Sequence, residues 1–227
     1  MSDLKLVHSA GLPEKPPHKK RITPAQRRRA RINAFRPFAV ELGWILFEWN
    51  SLHEGLCQVF ADLSSNREVA YAIWHSTAQD RPQREMLRSA LTAFKSDDPD
   101  LPKFREGTLW VLNELVALAG HRNDAIHAPL IFVNLDGRDG GLKLEIEPFS
   151  FSGNPRARNL PDDEDLKEEF KWYRDRLERL SEFVHDLHWA WAMSDHEKPF
   201  PWPDKPQLPS RGQFANRATK HRKNGSK

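Results

Sequence analysis

The sequence predicts a mainly α-helical bundle with a β-hairpin set before a long last helix. Between residues 37 and 63, Phe38, Leu42, Ile45, Trp49, Leu52, Leu56, Val59 and Leu63 recur at alternating steps of four and three. Between 164 and 193, Leu166, Phe170, Tyr173, Leu177, Leu180, Val184, Leu187 and Trp191 do the same. Each set places eight large apolar groups on one stripe of a helix. The third observation is a change of period after Pro129, where alternation in twos replaces the helical repeat.

Residues 1–36 read as a basic disordered arm. Pro13, Pro16, Pro17 and Pro24 interrupt regular structure, while Lys19, Lys20, Arg21 and then Arg27, Arg28, Arg29 form two cationic clusters. Such a segment is either a solvated tail or a non-specific clamp on nucleic-acid phosphate, which releases counterions on binding. Thr23-Pro24 followed by Ala25-Gln26 also fits the start of a short helix, with Thr as N-cap and Pro in the first position. The folded body is expected over 37–196. Its first helix has Pro37 in the first turn, and Trp44, Phe47 and Phe60 widen its apolar face, so more than one side should be buried. Ser64-Ser65-Asn66 ends it.

Residues 67–77 and 81–95 predict two shorter helices, the second opened by Pro82 and carrying Met86, Leu87, Leu91 and Phe94 inward. Helix 103–119 puts Leu109, Leu112, Val116 and Ala119 on one stripe. Beyond it, Leu130 to Leu135 is β-rich, and Leu142, Leu144 and Ile146 alternate with Lys143, Glu145 and Glu147. The stretch between, Asp136 to Gly141, is dense in residues that tolerate positive φ, which predicts a β-hairpin over about 130–149. Residues 150–162 read as a loop. The last helix, 164–193, takes Asp162 or Asp163 as its N-cap. It should run about 45 Å and lie along the first long helix, within one bundle or across a dimer seam. Residues 197–227 are Pro-rich and basic and read as a disordered tail.

Charge is segregated along the chain. Residues 1–36 carry +8 and residues 205–227 carry +7, which leaves −12 between them against a total of +3. The high isoelectric point therefore belongs to the ends and is weak support for a basic binding face on the body. The single cysteine, Cys57, excludes an internal disulfide and any multi-cysteine metal site, and its place on an apolar helix side suggests packing. There is no apolar signal region at the start and no run long enough to span a bilayer, so the expectation is a soluble cytoplasmic protein with no membrane role. No Walker-type glycine loop occurs. His185 and His188 stand three apart without an obvious third ligand, and read as surface or dimer-contact residues. No metal and no cofactor is expected.

Polar chemistry is crowded into Gly120-His121-Arg122-Asn123-Asp124-Ala125-Ile126-His127-Ala128-Pro129, where a core helix gives way to the hairpin. An Arg stays charged and grips phosphate oxygens bidentately, and a His can move a proton near neutral pH. Metal-free RNA cleavage needs those parts: a base for the 2′-OH, an acid for the leaving 5′-oxygen and a cation on the phosphorus oxygens. If the helix continues, Asn123 and His127 are i and i+4 on one face, and Asn123 can orient His127 or bond phosphate. Arg122 and His127 then diverge by about 140°. Either the helix bends near Gly120, or the Arg side chain reaches around, or a partner subunit completes the site. Arg179 and His185 fall in the same spacing window, but mid-helix.

The segment Arg122-Asn123-Asp124-Ala125-Ile126-His127 resembles the signature of the HEPN superfamily, an Arg, four to six residues, then a His, with a polar residue after the Arg. The first long helix, with Trp49-Asn50-Ser51-Leu52, is similar to the first helix of several HEPN groups. The resemblance covers residues 37–193. It implies a HEPN-like helical bundle and a metal-independent endoribonuclease whose homodimer sets two Arg-His motifs in one cleft. The products would be a 2′,3′-cyclic phosphate or 3′-phosphate and a 5′-hydroxyl. It further implies RNA as substrate, a toxin or phage-defence role, and an antitoxin or other protein partner. On this reading Arg122, His127 and Asn123 are catalytic. Asp124, His121, Glu48, Asn50 and Glu54 are expected at the binding cleft, and Lys19, Lys20, Arg21, Arg27, Arg28 and Arg29 at nucleic acid. The alternative is a non-catalytic HEPN-like module for nucleic acid or protein. There the Arg and His would simply complement the helix dipole, with Asp124 paired to Arg122.

Overall fold

The two long apolar stripes become the two longest helices, packed along each other. The computed structural model describes residues 22–128, 130–136, 142–149, 155–161 and 163–211. In it α1 spans Pro24–Asp62 and α6 spans Asp163–Ala192. Ile45, Leu52, Leu56 and Val59 of α1 are fully buried, as are Leu166, Leu177, Leu180 and Val184 of α6. Each such side chain contributes roughly 1.5–3 kcal/mol on leaving water. Phe38 meets Phe170 edge-on at 6.4 Å, and Arg174 of α6 donates to Glu41 of α1 at 2.7 Å. Between the two helices in sequence come α2 (Arg67–Ser76), α3 (Asp80–Ala93), α4 (Leu101–His127), the strands β1 (Leu130–Asp136) and β2 (Leu142–Pro148), and the short α5 (Pro155–Asn159). The strands are antiparallel, with Leu130 opposite Pro148 and Phe132 opposite Ile146, so the expected hairpin is present just before the last helix.

Three boundaries differ from the sequence reading, each for an identifiable reason. The first helix begins at Pro24 instead of 37, so residues 24–36 are helix, not disordered arm. Thr23 and Gln26 form a reciprocal capping box: Thr23 Oγ1 accepts from the Gln26 amide at 3.3 Å, and Gln26 Oε1 accepts from the Thr23 amide at 2.9 Å. Pro37 therefore sits inside the helix, exposed, where it removes one backbone donor without stopping the chain. The hairpin lies against this extension, and the Arg31 guanidinium stands over the Phe132 ring at 5.6 Å. The fourth helix does not end near 119 but runs through Gly120 to His127. It stops where Ala128 turns extended (ψ 133°) ahead of Pro129. The segment read as a loop over 150–162 contains α5.

A fourth difference is at the C-terminal end. Residues 197–211 have no regular secondary structure, yet they form a strap on the body instead of a disordered tail. Trp202 and Leu208 pack against the core, and the Pro209 carbonyl accepts from Trp172 Nε1 at 3.0 Å and from Arg176 at 3.2 Å. Arg211 grips Glu169 at 2.7 and 2.9 Å, and Lys205 pairs with Glu106. Proline fixes the extended backbone in advance, and the aromatic and cationic residues supply the attachment. The expected tail over 212–227 lies outside the described residues. Among the described residues no helix is long and apolar enough to cross a membrane.

Candidate functional site

The polar run of α4 occupies its last two turns, and helical geometry distributes its side chains around the axis. Leu115, Leu118 and Ala125 are buried on one stripe, and Arg122 falls on that stripe four residues after Leu118. Arg122 therefore turns inward. Its guanidinium lies over the Trp49 ring at 5.3 Å and is 3.8 Å from Asp80 Oδ2, and its Nη1 donates to Asn123 Oδ1 at 3.1 Å. Trp49 Nε1 donates to the same Asp80 oxygen at 3.0 Å, so the aromatic face and the carboxylate are locked to each other as well as to the Arg. One quarter of the Arg122 side chain stays exposed. His127 is exposed at the last helical residue.

Packed with Arg122 is a cluster of buried polar side chains that the sequence reading missed. His53 stacks on Trp49 with ring centroids 5.0 Å apart, and His53 and Arg84 are each only 8% exposed. Tyr173 of α6 is also buried, and His53 and Tyr173 each feel the charges of Asp80, Arg84 and Arg122. Both ring nitrogens of His53, Nη1 of Arg84, Nε of Arg122 and the Tyr173 hydroxyl are buried without a hydrogen-bond partner of ordinary geometry. Burial pushes His53 down to about 4; Asp80 and Gln83 oppose this, Arg84 and Arg122 reinforce it. Burial likewise raises the Tyr173 hydroxyl and lowers the Arg84 guanidinium. The sequence did carry a signal: His53 sits four after Trp49 and three before Leu56, and Arg84 sits three before Leu87, both polar residues at inward helical positions.

The other expected site residues scatter. Asp124 does not take Arg122, since residues two apart on a helix face different ways; it accepts from Asn159 Nδ2 at 3.0 Å. His121 turns toward the strap side, 3.5 Å from Glu169 and edge-on to Trp172. Glu48 faces acids of α6: burial raises its pKa, and Glu178 and Glu182 raise it further. Asn50 and Glu54 line an open groove of about 530 Å³ with Phe47, Gln58, Ser181 and His185. These three α1 residues are not brought to Arg122, because Trp49 and His53 occupy the helix face that meets it. Arg27, Arg28 and Arg29 are exposed in the first turns of α1, and Lys19, Lys20 and Arg21 lie outside the described residues. Arg179 and His185 are both exposed on α6. His188 is not a surface contact: it is 2.7 Å from Asp62 with only 12% of its side chain exposed. For metal chemistry, the one grouping of three donors among the described residues is Glu54, Cys57 and His75.

Comparison of the chain with protein-family models, with curated proteins and with solved structures finds no match.

Proposed function

We propose that the protein is a metal-independent endoribonuclease of HEPN type, working as a homodimer in which Arg122 and His127 act on RNA. The observation that carries this reading is the held but unfinished state of Arg122. Trp49 and Asp80 hold the guanidinium, a quarter of the Arg122 side chain remains exposed, and His127 is exposed five residues later at the same helix end. In the proposed reaction the 2′-oxygen, deprotonated by a His, attacks phosphorus and the bond to the 5′-oxygen breaks. A second His protonates the leaving oxygen, and Arg122 stabilises charge on the non-bridging oxygens. The last turn of α4 offers one exposed His, His127, so in this reading the second His comes from a second copy. Asn123, bonded to Arg122, helps to orient it. A toxin or phage-defence role, with an antitoxin or other protein partner, follows from the same resemblance.

The test is RNA cleavage in EDTA by the wild type, His127→Ala and Arg122→Ala. Loss of about 10²-fold or more in His127→Ala, with folding retained, is expected from removing a general acid or base. His127 is exposed, so that variant should fold. Unchanged cleavage in His127→Ala overturns the assignment. The Asp80 carboxylate already facing Arg122 favours a second reading, a non-catalytic HEPN-like binding module. RNA binding by wild type without cleavage selects it.

A further inference from the structure

We propose that Glu54, Cys57 and His75 form a binding site for a zinc-class divalent transition-metal ion that ties α2 to α1. One donor atom from each residue, a carboxylate oxygen, a sulfur and an imidazole nitrogen, lies within 4.8 Å of the other two. Cys57 Sγ is 3.8 Å from His75 Nε2, and His75 Nε2 is 3.9 Å from Glu54 Oε2. Around a tetrahedral ion with bonds of about 2.0 Å to nitrogen and 2.3 Å to sulfur, donors stand roughly 3.3–3.8 Å apart. Closure onto an ion therefore needs movements of ångström size or less. The exposed side chains of Glu54 and His75, 56% and 58% open, can supply them. Glu54 and Cys57 are i and i+3 on α1 and share a face, while His75 arrives from the last turn of α2.

The three donors converge without satisfying one another. The His75–Glu54 approach is too long for a hydrogen bond, and a thiol–imidazole contact at 3.8 Å is a weak one. Sulfur and imidazole together favour zinc-class ions over magnesium or calcium, which prefer oxygen. Three protein donors with two exposed ends leave the fourth position to water. Cys57 is buried. A cysteine sulfur ligates an ion as the thiolate, so binding releases a proton. The site is separate from the Arg122 cluster, which meets α1 at Trp49 and α3 at Asp80. Chelation would strip the ion and leave the proposed RNA cleavage untouched, so each proposal can fail without the other.

The experiment titrates tag-free full-length protein, first treated with chelator, with Zn²⁺ by calorimetry and with Co²⁺ by absorption spectroscopy. One ion per chain, proton release on binding and a thiolate-to-cobalt charge-transfer band are expected. Cys57→Ser should lose the band. His75→Ala and Glu54→Gln, both changes at exposed side chains, should weaken zinc at least about tenfold, the size of effect seen even for outer-shell partners. Zinc binding of unchanged affinity in His75→Ala overturns the proposal, whether or not Cys57→Ser folds. Cobalt binding without the charge-transfer band, or no binding of either ion, does the same.

Discussion

His53 must stay neutral to remain where it is. It stacks on Trp49, and burial outweighs the support that Asp80 and Gln83 give to its charged form. A folded-state value of about 4 lies well under the ordinary 6.5. Between those values the unfolded chain binds more protons at this group, so its contribution falls as pH drops through that window and changes no further below it. The size is on the order of 3 kcal/mol. Urea unfolding followed from pH 7 to pH 4.5 should show this loss in the wild type and a shallower one in His53→Phe. Equal slopes would show that His53 does not carry the effect. The same residue marks how far the site was legible. Arg122, Asn123 and His127 were visible because their spacing matches a motif. His53, Asp80, Arg84 and Tyr173 were not, because they come from three separate helices and only packing brings them to Arg122.

At the scale of elements, the seam between α1 and α6 depends on a glycine that no hydrophobic pattern reveals. A Cβ at Gly55 would stand 2.8 Å from Val184 Cγ1, and Val184 is a stiff β-branched residue with no exposure. Gly55→Ala gains about 1 kcal/mol of helix propensity but loses about 1–3 kcal/mol to overpacking, so a net loss is expected. Gly43, in the same helix, has nothing within 4 Å of its would-be Cβ. Gly43→Ala should therefore stabilise by roughly 0.5–1 kcal/mol. Opposite signs in a denaturant titration support close approach at Gly55, and a stabilised Gly55→Ala would refute it. The apolar stripes made both long helices readable, and the change of period made the hairpin readable. What stayed hidden were boundaries where one unfavourable residue is outvoted by its neighbours. Pro37 and Gly120 read as a helix start and a helix end, yet each is carried inside a longer helix, by the capping box at Thr23 in one case and by the inward Ala125 in the other.

For the whole molecule, the segregated charge turns out to be partly internal. Arg211 and Lys205, from the basic end of the chain, are paired with Glu169 and Glu106 of the body, so they are not free for phosphate. Glu169 is the sharper case. It is 6% exposed, and its burial by itself would raise its pKa; His121 and Arg211 reverse that and hold it below the usual carboxylate value. Its contribution to stability is present above the unfolded value of about 4.3 and is lost as pH falls through the folded one. Arg211→Ala leaves a buried carboxylate with the His121 ring 3.5 Å away as its remaining side-chain neighbour in the pair, and His121 adjoins Arg122. The expected cost is about 1.5–3 kcal/mol, the range for hydrogen bonds to charged groups, because Arg211 itself is a third exposed. Glu169→Gln/Arg211→Ala should lose less than the two single changes summed, since the double variant no longer strands the charge. Lowering the pH to 4 should shrink the difference between wild type and Arg211→Ala, because in the variant burial is less opposed and Glu169 takes up a proton there first. If Arg211→Ala unfolds like the wild type at neutral pH, the strap is an ornament on the surface. If it unfolds earlier and the double variant recovers, the C-terminal segment is the outer wall of the core and sits one residue behind the candidate site.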